Sequence, residues 1–191
     1  MTWHIIGILA FVVIYNIWRY SQDDEDCDYS PVSETTKENN QIEVTNMEET
    51  ISTRQLALKT IENIGSTPQY TEEGRIQFEY QGIIFLMEAA NDCMFVNLIW
   101  PWCYSFSKFD IDEFARVRQV ANDINARGVV SAFYCITDSD DVAVHLKKNF
   151  LLVQQIPDLE DYLKIMLDSF FRTARMLELE IEKCRIQECE K

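Results

Sequence analysis

The sequence predicts an α+β fold: an antiparallel five-stranded sheet with α-β-β-β-α-β-β-α order, preceded by one N-terminal transmembrane helix. Three observations predict it. An unbroken apolar run, WHIIGILAFVVIYNIW, occupies residues 3–18. Beyond residue 50, apolar residues recur at helical spacing in three segments, each opened by a capping residue. Between these segments lie alternating runs whose connections are too short for parallel pairing.

The apolar run contains no Lys, Arg, Asp or Glu. At about 1.5 Å per residue, residues 2–20 would span roughly 28 Å, close to the ~30 Å hydrocarbon core of a bilayer. Trp3 at one end and Trp18 with Tyr20 at the other are the expected membrane-interface residues. A cleaved signal peptide needs a basic start and a small-residue cleavage site, and the first basic side chain here is Arg19, after the run. Arg19 also favours the cytoplasmic side for the chain beyond it. The expectation is a single-pass membrane protein with its soluble domain in the cytoplasm.

Residues 21–50 hold ten acidic side chains and one base. They carry few large apolar groups, so burial cannot offset the entropy of ordering them. They read as an acidic disordered linker between the anchor (1–20) and an α+β domain (51–191). The whole chain has a net charge of −15. That argues against nucleic acid and anionic headgroups, which call for clustered Lys and Arg. Six cysteines without a CxxC or a nearby His argue against a zinc site, and a reducing compartment is the simpler expectation. Cys93 and Cys135 sit in apolar strand-like runs, where thiols act as small hydrophobes.

The first domain helix is expected after Ser52, which forms a capping box with Gln55. Its buried stripe is Leu56, Ala57, Ile61 and Ile64, and Gly65 closes it. Strands are expected at 75–80, 83–88 and 93–100, with Gln81-Gly82 as a tight turn. The second helix runs from Ile111 to Arg127. Asp110 caps it, Glu113 completes a capping box, and Phe109 staples to Phe114. Strands at 129–137 and 142–147 form a second hairpin around residues 138–141. Asp158 caps a final helix of thirty-odd residues, long enough to outrun the sheet, so that its end either projects or contacts a second chain. Its buried stripe runs from Leu159 and Leu163 through Phe170 to Ile181.

This order, with YQGIIF (80–85), FVNLIWPW (95–102), VANDINA (120–126) and DLEDYL (158–163), resembles the YbjN-like family over roughly 52–185. That family is similar in fold to the small dimeric chaperones of type III secretion. The resemblance implies a chaperone-like, protein-binding module that pairs with itself as a homodimer. It supplies no catalytic residues. The anchor and linker depart from soluble members and put a free cytosolic chaperone role in doubt.

No enzyme signature emerges. His145 should face opposite to Val144 and Leu146 on its strand, and no Ser/His/Asp or Cys/His constellation forms around it by spacing. The glycines give no phosphate loop, and the paired carboxylates at 72–73 and 140–141 read as turn residues. No catalytic residue, metal or cofactor is implied. The remaining feature is LIWPWCYSFSKF at 98–109. Val96, Leu98 and Trp100 alternate into the core, Pro101 ends the strand, and Phe109 joins the next helix. Trp102, Tyr104 and Phe106 alternate past the proline. They are either core or the rim of a groove that anchors a polypeptide partner. The sequence thus points to a membrane-tethered, non-enzymatic protein-interaction module; the alternative is a small-ligand sensor or enzyme using the sheet concavity.

Overall fold

A computed structural model describes residues 51–190. The expected anchor with its interface residues Trp3, Trp18 and Tyr20, and the acidic linker, lie outside the described residues. The described chain runs α1 (Thr53–Asn63), β1 (Gln69–Tyr70), β2 (Ile76–Tyr80), β3 (Ile83–Ala89), β4 (Phe95–Ser107), α2 (Ile111–Arg127), β5 (Ser131–Ile136), β6 (Asp141–Leu151) and α3 (Leu159–Cys189). The sheet is antiparallel and has six strands in the order β1-β2-β3-β4-β6-β5. The expected five-stranded count is therefore corrected to six. The added strand, β1, is two exposed residues paired with Ile76 and Gln77. A segment that short carries no alternation to read.

Local chemistry sets the element boundaries. Ser52 and Gln55 form the reciprocal capping box of α1. Gln81 and Gly82 both take positive φ, 51° and 80°. This is the mirror-image turn that suits the twist of a two-residue hairpin between Tyr80 and Ile83. Asp110 and Asp158 accept the N3 backbone N–H groups of α2 and α3. At Gly128, which ends α2, a Cβ would stand 2.6 Å from the Ile124 carbonyl oxygen, so the chain can leave the helix only through glycine.

Alternate residues of every long strand face the helices. Phe78, Phe85, Leu98 and Leu146 from the sheet join Ile61, Val117, Leu163 and Phe170 in one buried cluster. Phe170 meets Phe85 edge-on at 5.6 Å between ring centroids. Burying such side chains contributes about 1.5–3 kcal/mol each. The described helices all pack on this face. The opposite face carries Arg75, just ahead of β2, with Glu88, Asn97 and Asn149 of β3, β4 and β6 as a polar ladder linked by contacts of 2.9–3.2 Å. His145 alternates onto that same face, as its spacing predicts.

The largest departure concerns β4. The sequence places its end at Pro101, but the strand continues to Ser107. Trp100 pairs with Leu146 and Tyr104 with Val144, so four steps on β4 match two on β6. Pro101 sits in this bulge, where the ladder is already interrupted and its missing N–H is harmless. Phe109 is a second correction. It is 72% exposed rather than stapled into the core, with Lys108 Nζ 5.1 Å above its ring. Phe114 packs instead on Phe106 and Tyr134. Cys93 is exposed ahead of β4 and is not a strand residue.

Candidate functional site

The bulge divides the aromatic stretch between the two faces of the sheet. Trp102 has φ 58°, a left-handed conformation rarely adopted by a bulky residue. Its backbone N–H donates to Nδ1 of His145 at 3.1 Å. Its ring meets the His145 ring edge-on at 6.5 Å. Trp102 therefore lies with His145 on the face that no described helix covers. Past the bulge, Tyr104 and Phe106 return to the helix side, pack against the core cluster and lie 6.1 Å apart. The three residues expected to share a rim are brought together only as Tyr104 with Phe106. All three are half-buried.

Around Trp102 the structure builds a small closed constellation. His145 is fully buried, stacked on Phe133 at 5.0 Å, with Nε2 3.2 Å from Sγ of Cys135. Because Nδ1 accepts the Trp102 N–H, the neutral ring carries its proton on Nε2 and points it at the sulfur. The imidazole thus has no free lone pair with which to activate Cys135. Burial pushes the histidine pKa down to about 4 and raises that of the Cys135 thiol. Cys103, on the bulge, donates to the Val144 carbonyl at 3.3 Å, and burial drives its thiol up to about 12. Both thiols stay protonated at neutral pH, which disfavours nucleophilic chemistry.

On the helix side, Tyr104 belongs to a charged cluster that sequence spacing does not reveal. Glu113 does not turn back to complete a capping box. Its nearly buried carboxylate accepts from the Tyr104 hydroxyl, from Arg116 at 2.8 Å and from Arg185 at 2.6 Å. Arg185 also donates to Tyr104 Oη at 2.9 Å, and Arg116 reaches Glu188 at 2.7 Å. Burial by itself raises the Glu113 pKa. The hydrogen bonds from Tyr104, Arg185 and Arg116 outweigh it, so the carboxyl sits below its ordinary value. The Tyr104 hydroxyl is raised by burial and by its bond to Glu113. The only signal in the sequence is the excess of Glu and Arg near the end of α3; their partner, 72 residues away, leaves no local trace.

Beside this cluster a concavity of about 400 Å³ opens along α3, lined by Tyr104, Arg175, Glu178, Leu179, Glu182 and Arg185 among others. Its walls carry both signs of charge, and Arg185 is already engaged with Glu113 and Glu182. A second opening of similar size lies against Gln81, Ile165, Phe171 and Arg172. Among the described residues no group of three or more His, Cys, Asp or Glu is placed to hold a metal ion, and no helix is long and apolar enough to cross a membrane.

No protein-family model matches this chain, and no curated protein matches it either.

Proposed function

We propose that this chain is a membrane-tethered, non-enzymatic module that binds a polypeptide partner and pairs with itself, as the resemblance to YbjN-like proteins implies. One observation carries the partner-binding part. Trp102 is locked at an unfavourable φ by the β4 bulge and by His145, on the sheet face that no described helix covers. Strain of about 1–3 kcal/mol at one residue persists only where surrounding contacts hold it, and such sites often serve recognition. Ile84, 50% exposed, alternates onto the same face near the bulge and supplies apolar surface there. Tyr104 and Phe106 are engaged by Glu113 and Phe114, so in this reading they shape the scaffold while Trp102 meets the partner. His145, Cys103, Cys135 and Glu113, the buried groups closest to the aromatic stretch, are taken up by internal bonds, which supports a binding role over catalysis there.

Photocrosslinking from a residue placed at Ile84 in the native membrane tests this reading. A discrete protein adduct is expected, and Trp102→Ala should reduce it at least several-fold while leaving the amount of protein unchanged. An adduct indifferent to Trp102→Ala would rule out Trp102 as the anchor. The competing ligand-sensor reading rests on the concavity beside Tyr104 and Arg175. It predicts that a small anion, and no protein, protects that region in hydrogen exchange.

A further inference from the structure

The helix α3 carries two apolar sides. Leu163, Phe170, Leu177 and Ile181 are buried on the inner one. Diametrically opposite, at spacings of three and four, run Arg172, Met176, Leu179, Lys183 and Ile186, continued by Glu190, the helical-φ cap just past the end of α3. Met176, Leu179 and Ile186 are 39%, 54% and 52% exposed. The outer side of a surface helix is ordinarily polar, so this second seam calls for an occupant.

The seam is palindromic. About the point opposite Ile181, Met176 is placed symmetrically to Ile186, Leu179 to Lys183, and Arg172 to Glu190. A second α3, laid antiparallel with a two-fold axis at that point, therefore meets complementary chemistry along its length. Met176 faces Ile186 of the other copy. Leu179 faces the aliphatic stem of Lys183, whose ammonium can reach water. Arg172 faces Glu190, and symmetry makes every contact twice. A parallel pairing would instead set Arg172 on Arg172, Lys183 on Lys183 and Glu190 on Glu190, all repulsive. Glu180 and Glu182 flank the axis and are paired within their own helix by Lys183 and Arg185. The seam is also held in place before any docking. Arg185 and Glu188 tie the end of α3 to Glu113 and Arg116 of α2, which lowers the ordering cost of association.

We propose that α3 is the surface through which two copies of this chain pair, antiparallel, between Arg172 and Glu190. The inference rests on the self-pairing part of the function proposed above and is independent of the Trp102 face. It is tested on the full chain in mild detergent by sedimentation over a concentration series, with melting by circular dichroism as a check on folding. The wild type should be dimeric. Leu179→Glu, at an exposed position, should give a folded monomer. Arg172→Glu and Glu190→Arg should each weaken the dimer by roughly five- to tenfold, and the two combined should return it to within about twofold of wild type. A monomeric wild type, a dimer indifferent to Leu179→Glu, or a double variant as weak as the single ones would each overturn the proposal. Absence of any Ile84 photoadduct in the wild type, with pairing intact, would count against the Trp102 reading alone.

Discussion

At the scale of single residues, the informative side chains are those whose surroundings reverse their ordinary behaviour. His145 is the clearest. A neutral histidine buried on a strand supports the strained backbone of Trp102 through Nδ1, and burial depresses its pKa from 6.5 to about 4. Between those values the unfolded chain binds a proton that the folded chain refuses, so stability rises with pH across this window. Going from pH 7 to pH 4 should therefore remove up to about 3 kcal/mol through His145 alone. Urea unfolding of wild type and His145→Gln across pH 4–7 checks this. The variant should show a flatter profile in that range, and an unchanged profile would contradict the assignment. Strand alternation alone places His145 opposite to Val144 and Leu146. Its bond to Trp102 is not legible there, because the sequence gives no sign that β4 bulges at Pro101 and folds that N–H back toward β6.

At the scale of elements, the decisive contact is the one that fastens α3 to α2 and β4. The helix is 31 residues long, about 46 Å at 1.5 Å per residue. Its sequence suggests an end that projects past the sheet. Its last turns are instead pinned by Arg185 and Glu188 to Glu113 and Arg116, with Tyr104 of β4 closing the group. A buried carboxylate that serves three donors is a stronger tie than an exposed ion pair. Glu113→Ala should lower stability by about 2–3 kcal/mol at neutral pH and speed amide exchange in the final turns of α3. The folded pKa of Glu113 lies below the ordinary 4.5. Its contribution is therefore full above that value and is lost as pH falls through the folded pKa. The difference between wild type and variant should shrink accordingly on acidification below pH 4.5. A cost that stayed constant with pH would mean that Glu113 acts by packing and not by charge.

At the scale of the whole molecule, layer architecture separates the surfaces. With the described helices on one side of the sheet, Trp102 is left on the other, and the α3 seam lies on the outside of the helix layer. A partner and a second copy could then be held at once without competing for one surface. The proposed tether is testable at this scale: the full chain should stay in the membrane pellet after an alkaline wash, and removal of residues 1–20 should release it. Retention without those residues would place membrane attachment elsewhere. The amino-acid sequence by itself determined the α+β class, the helix caps at Ser52, Asp110 and Asp158, the Gln81-Gly82 turn and the inward stripes of α1 and α3. These depend on neighbours a few residues apart, where periodicity and turn chemistry act directly. Only the tertiary structure decided that β4 runs through Pro101, that Phe109 is exposed, that Glu113 turns inward, and that Trp102 and Tyr104 lie on opposite sides of the sheet. The bulge and the inward carboxylate each depend on a partner far along the chain: Val144 and His145 for the bulge, Arg185 for the carboxylate. Local pattern carries no trace of which distant strand or helix will supply that partner.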